Sequence, residues 1–151
     1  MRGSEVMRAL AALAVAGGIQ PVFAQEAAAK PSAVLEVKVA PLHSAQGAVR
    51  LGLYADPAGF RKEARALRVV ELPASPGEVV FRLEGLAPGR YALMAYHDEN
   101  ANGKLDLRLG MFPIEGYGLS RNPKVMGPPA FEDSAFELGA EGGTQQIEMR
   151  Y

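Results

Sequence analysis

Asp98, Asn100 and Asn102 alternate along the chain, Gly103 follows at once, and Asp106 stands three residues further on. A tightly wound loop turns every second side chain inward, and a hard cation such as Ca²⁺ asks for six to eight oxygens. These five residues fall on the first, third, fifth, sixth and ninth positions of a calcium loop. Gly103 permits the sharp turn, and the carbonyl of Lys104 supplies a backbone oxygen. The expected metal ligands are therefore Asp98, Asn100, Asn102, Lys104 and Asp106. Leu109 stands where an EF-hand carries its bidentate Glu, and the preceding Tyr91–Tyr96 reads as strand, so the loop is not an EF-hand. The missing carboxylate comes from elsewhere in this reading, with Glu99, Glu115, Glu132 and Asp133 as candidates. Two amide ligands lower the charge of the site and predict weak Ca²⁺ affinity, on the order of 10⁻⁴ to 10⁻³ M. The competing reading is a polar turn, because Asn-Gly favours hairpins and Asx side chains bond their own backbone.

His97, Asp98, Asp106 and Glu115 also sketch a hydrolase. General acid–base work needs a partner at hydrogen-bond distance. A histidine that ends a buried strand is more often a hydrogen-bonded structural residue. His43 is the only other histidine and there is no cysteine, a poor set for a transition metal. Ser120, in Gly118-Leu119-Ser120-Arg121-Asn122, lacks the second Gly of a nucleophile elbow. Gly116-Tyr117-Gly118 lacks the third Gly of a dinucleotide loop.

The elements that must position these residues read as strands. Val34–Val39, Gly47–Asp56, Leu67–Leu72, Val79–Glu84, Ala135–Leu138 and Thr144–Tyr151 alternate or run apolar between Gly and Pro breaks. Tyr91–Tyr96 is apolar on both faces, as a strand in the middle of two layers must be. Pro57–Ala66 reads as one or two helical turns with Phe60 facing inward. No βαβ alternation is visible. The expectation is an all-β, two-sheet antiparallel β-sandwich of immunoglobulin-like or transthyretin-like form, with roughly seven strands. Gly110–Asp133 is long, rich in Gly and Pro, and carries Met111, Phe112, Ile114, Tyr117, Leu119, Val125, Met126 and Phe131. So many apolar residues predict an ordered coil across one end of the sandwich, either a binding surface or a cover for a sheet edge.

The chain has 151 residues, room for one domain over 33–151. Arg2 and Arg8, the apolar run Ala9–Ala16, the breakers Gly17, Gly18 and Pro21, and Val22-Phe23-Ala24 follow the order of a secretory signal peptide over 1–24. A start at Met7 leaves a shorter, complete signal. The apolar run falls short of the ~20 residues that span a bilayer, and no second long one follows, so no transmembrane segment is expected in the mature chain. Residues 25–32 read as a flexible leader. With no cysteine, the domain has no disulfide and no lipoprotein anchor. A net charge of −1 and the lack of a basic cluster argue against nucleic acid.

Gly85-Leu86-Ala87-Pro88-Gly89-Arg90-Tyr91-Ala92, the run His97–Asp106, Gly110, the run Pro113–Ser120 and Gly127-Pro128-Pro129-Ala130-Phe131 together resemble the bacterial DUF2141 proteins, with Ala135-Phe136 fitting as well. The resemblance spans about Val34 to Tyr151. It implies an exported single domain of uncharacterised function and brings no reaction or ligand with it. The expected function is a noncatalytic binding or structural module, periplasmic or secreted, with a structural Ca²⁺ loop at 98–106. Its partner is an envelope or extracellular glycan, peptide or protein. An envelope hydrolase using His97, Asp98, Asp106 and Glu115 is the alternative, and a purely structural envelope protein the third reading.

Overall fold

A computed structural model describes residues 32–151. The expected signal peptide, and all of the expected leader except Ser32, lie outside the described residues. Ten strands follow in order: β1 (Ala33–Leu42), β2 (Ala48–Tyr54), β3 (Arg68–Pro73), β4 (Gly77–Leu86), β5 (Gly89–Asp98), β6 (Leu107–Arg108), β7 (Phe112–Pro113), β8 (Tyr117–Leu119), β9 (Phe136–Leu138) and β10 (Gly143–Glu148). Two single 3-10 turns, Pro57–Gly59 and Glu63–Arg65, join β2 to β3, and a one-turn helix α1 (Phe131–Ser134) precedes β9.

Alternation builds the layers. On β1 the residues Ala33, Leu35, Val37 and Val39 are buried while the side chains between them are half-exposed. The long strand β4 does the same with Val79, Phe81 and Leu83. One sheet has the order β10-β1-β4, and the other β3-β2-β5-β8, with β9 also pairing β5. Val49, Leu51 and Leu53 of β2 and Tyr91, Leu93 and Ala95 of β5 meet the apolar residues of β1, β4 and β10 in one core. At roughly 2 kcal/mol for each large buried side chain, this shared core is the dominant force holding the two sheets together.

The chain is all-β with mainly antiparallel sheets. One pairing departs from the antiparallel expectation: β10 runs parallel to β1, from Leu35↔Gly143 to Ala40↔Glu148. The Gly142-Gly143 turn delivers the chain to the end where β1 begins, so β10 enters alongside β1 in the same direction. Each of the seven expected segments contains a strand, and the count rises to ten because β7 and β8 form within the stretch expected as coil and β6 just before it, each of two or three residues.

The outer face of β5 is covered too. Ala92 and Met94 pack with Tyr54, Phe60, Ala66, Leu119, Phe131 and Ala135 in a second cluster. Phe60 meets Tyr54 and Phe131 edge to face, with ring centroids 5.4 and 5.8 Å apart. This is why Tyr91–Tyr96 carries apolar residues on both faces, and Phe60 faces inward as expected. The Gly110–Asp133 stretch, by contrast, does not pack as a whole. Leu119 and Phe131 are buried, but Met111, Phe112, Ile114, Val125 and Met126 are exposed. Among the described residues no helix is long and apolar enough to cross a membrane.

Candidate functional site

The last two residues of β5 face opposite ways, as strand geometry requires. His97 pairs with Val49 of β2 and turns to the inner side, whereas Asp98 pairs with Ala48 and turns to the outer side. Both are buried. His97 Nε2 lies 2.7 Å from the Gln46 carbonyl oxygen. A carbonyl only accepts, so Nε2 carries the proton. Nδ1 is then free to accept from the Tyr151 hydroxyl at 2.9 Å. That hydroxyl accepts the His43 N–H at 3.3 Å, and its ring stacks on His43 with centroids 3.7 Å apart. Burial raises the Tyr151 pKa and keeps the phenol protonated as a donor. The His97 N–H donates to the Gly116 carbonyl at 2.8 Å. His97 thus ties three distant segments together, with both ring nitrogens hydrogen-bonded.

Asp98 organises the loop that follows it. Its Oδ1 accepts the Asn102 N–H at 3.0 Å and its Oδ2 the Gly103 N–H at 2.7 Å. Asn100 Oδ1 accepts the same Asn102 N–H at 3.1 Å, and Asn102 Oδ1 accepts the Lys104 N–H at 2.8 Å. These nested Asx turns hold Ala101 at φ 57° and Gly103 at φ 74°, and at the second position glycine removes the cost of left-handed backbone. The loop then folds onto Asp106. Asn102 Nδ2 lies 3.0 and 2.9 Å from its two carboxylate oxygens, and Asn100 Nδ2 lies 2.6 Å from Oδ2. Gly47, at φ 63°, supports the strand end from below, because a Cβ there would overlap the Asp98 carbonyl oxygen.

Glu115 closes the loop. It is buried, and its Oε1 accepts the Glu99 N–H at 3.1 Å while its Oε2 accepts the Asp106 N–H at 3.0 Å. Of the four carboxylates weighed as a completing ligand, it alone stands at the loop base. Glu99 turns away to the Ser44 hydroxyl at 3.1 Å. Asp133 caps its own helix through the Ala130 N–H at 2.7 Å, and Glu132 lies 3.9 Å from Arg90 at the other end of β5. Lys104 joins the loop through its backbone.

A second tie comes from the sheet. The Tyr96 hydroxyl lies 2.8 Å from Glu63 Oε2 and 3.2 Å from the Gly103 carbonyl oxygen. Arg50 bridges Glu63 and Glu71. Burial on its own would lift the Glu63 carboxyl, but hydrogen bonds from Arg50 and Tyr96 outweigh it and hold the group below the ordinary carboxylate range. Burial, and then the Glu63 carboxylate, push the Tyr96 phenol up.

The hydrolase quartet is therefore divided: Asp98, Asp106 and Glu115 gather around the loop, and His97 faces the other way. Every carboxylate oxygen of Asp98 and Glu115 already receives an N–H. A depression of about 470 Å³ lies beside Arg90, Arg121, Phe136, Glu137 and Gln145, and none of the quartet lines it. Ser120 is buried; its hydroxyl accepts the Leu93 N–H at 2.9 Å and donates to the Ser134 carbonyl at 2.6 Å. It bridges the break between β8 and β9 along β5, which is a structural role.

For a metal, the described residues hold no group of three or more His, Asp or Glu side chains set as ligands. What the loop assembles is of another kind: the Asp106 carboxylate with the Asn100 and Asn102 amides turned to it, beside the Asp98 carboxylate on the Asn102 and Gly103 N–H groups. Both amides present nitrogen to Asp106, because their oxygens already accept the Asn102 and Lys104 N–H groups. The roles of Tyr96, Gln46 and Tyr151 carried no sequence signal, since each partner is distant in the chain. A family model described as an uncharacterized protein conserved in bacteria (DUF2141) matches residues 37–147. No curated protein and no solved structure matches the chain. With most of its length matched, from the middle of β1 to the end of the core in β10, the chain belongs to the DUF2141 family.

Proposed function

We propose that this protein is an exported, noncatalytic β-sandwich of immunoglobulin-like or transthyretin-like form whose 98–106 loop takes Ca²⁺ as a structural clamp. It serves an envelope or extracellular partner, a glycan, peptide or protein, in the periplasm or outside the cell. One observation carries the reading: the Asn100 and Asn102 side chains converge on Asp106, and Asp98 winds the backbone between them, on a loop whose two ends are held by Glu115. The sandwich form is supported by the core shared between the two sheets, and export by the pattern of residues 1–24. Bound Ca²⁺ supplies charge that links the two aspartates, while Asp98 and Glu115 keep the backbone wound for it.

Thermal melting with and without calcium tests this. At 10 mM Ca²⁺, an affinity on the order of 10⁻⁴ to 10⁻³ M stabilises the fold by about 1.4 to 2.7 kcal/mol. That is a rise of several degrees in Tm. Asp98→Ala abolishes the increment, measured against the same variant in chelator. An unchanged Tm in the native chain at 10 mM Ca²⁺ overturns the site.

A further inference from the structure

Five large apolar side chains stand in solvent within eight residues: Leu107, Leu109, Met111, Phe112 and Ile114, with Leu109 81% exposed. They ride on the ribbon formed by β6 and β7, whose register is Leu107↔Pro113 and Arg108↔Phe112. The tip is Leu109-Gly110, at φ 54° and 69°, closed by the Met111 N–H on the Arg108 carbonyl at 3.2 Å. A leucine in left-handed backbone is an outlier, and here the strained residue is the most exposed of the five.

Alternation puts Leu107 and Pro113 on one face of the ribbon and Arg108 and Phe112 on the other. Apolar surface therefore lies on both faces. A protein groove covers one face of a ribbon and leaves its back wet, whereas an acyl-chain layer surrounds both. The charge agrees. Residues 107–114 include Arg108 and no acid; of the two flanking acids, Asp106 is turned to the Asn100 and Asn102 amides and Glu115 is buried at the loop base. Basic groups beside inserted apolar side chains match an anionic lipid surface. The stem is fixed, because Asp106 accepts the Ile114 N–H at 3.0 Å and donates its own N–H to Glu115. A preordered tip loses little freedom when it inserts.

We propose that the 107–114 ribbon is a membrane-surface anchor, which places Leu109, Met111 and Phe112 among the acyl chains of an anionic bilayer and leaves Arg108 at the headgroups. The anchor is independent of calcium at the neighbouring loop.

The chain has no tryptophan, so Phe112→Trp gives a single reporter at the ribbon and Val80→Trp one on the far sheet. The chain from Gln25 onward is titrated, in chelator, with vesicles of equal parts phosphatidylglycerol and phosphatidylcholine. The expected result is a blue shift of emission from the Phe112→Trp protein, quenched by brominated acyl chains, with none from the Val80→Trp protein. Adding Leu109→Asp weakens partitioning at least about tenfold while melting is unchanged. No shift at the ribbon, or an equal shift from both reporters, overturns the proposal. So does a concentration-dependent dimer in the absence of vesicles that Leu109→Asp dissolves, which assigns the ribbon to a second copy of the chain.

Discussion

Between Asp98 and Asp106 the Asp and Asn side chains find their partners inside the loop, whereas between Leu107 and Ile114 the large apolar side chains find none. The two stretches are consecutive and share a stem. In the first, unpaired polar groups would be costly to bury, so Asx side chains and Glu115 satisfy the backbone N–H groups that irregular chain leaves open. In the second, the backbone is satisfied by its own short ladder, and the exposed side chains are an unspent source of binding energy. The loop is built to hold its shape, and the ribbon to meet something outside the molecule.

Glu115 is where the comparison is most easily broken. Glu115→Ala leaves the partly buried Glu99 and Asp106 N–H groups without acceptors. Hydrogen bonds to a charged group contribute about 1.5 to 3 kcal/mol each, and because both are only partly buried a loss of roughly 3 kcal/mol, the lower end for the pair, is expected. Urea unfolding reads it as a lower midpoint at unchanged slope. A loss under about 0.5 kcal/mol shows that the stem needs no clamp, and the distinction between a fixed loop and a presented ribbon then disappears.

The tie from Tyr96 sharpens the same contrast through pH. The folded Glu63 pKa lies below its ordinary value of 4.5, held there by Arg50 and Tyr96 against burial. A depressed acid contributes stability that is present above the unfolded value and lost as pH falls through the folded one. The network therefore weakens in the range below about pH 4.5, by under ~1 kcal/mol because Glu63 is partly solvated. Tyr96→Phe brings the folded and unfolded values closer together. The drop in stability between pH 5 and pH 3, followed by chemical denaturation, becomes smaller than in the native chain. An equal or larger drop in the variant shows that Tyr96 does not hold Glu63, and with it the link from sheet to loop.

Local patterns were the legible part of this fold. The alternation of Val79, Phe81 and Leu83 and the two-faced run Tyr91–Tyr96 announce an outer and a central strand without any tertiary information. The loop is equally local: Asn100 and Asn102 meet Asp106, and Asp98 holds the backbone between them, because a few residues of tight backbone bring them together. Long-range partners leave no such trace. The parallel entry of β10 beside β1, and the contacts of His97 with Gln46 and Tyr151, join residues far apart in sequence. The Gly110–Asp133 stretch misleads for a different reason. Apolar composition implies burial only when an internal face is available, and after Phe60, Leu119 and Phe131 have closed the outer cluster none remains for Met111, Phe112 or Ile114.

The smallest expected effect is the most discriminating for the ribbon. At φ 54°, Leu109 costs roughly 1 kcal/mol relative to glycine in the folded chain. Glycine gives back about 0.5 to 1 kcal/mol through the greater freedom of the unfolded chain. Leu109 is mostly exposed, so its removal forfeits almost no burial. Leu109→Gly should therefore leave the denaturation midpoint unchanged or raise stability by up to about 0.5 kcal/mol, while vesicle partitioning falls. Destabilisation of more than about 1 kcal/mol would reveal internal packing at the tip, and the ribbon would then obey the same rule as the loop beside it.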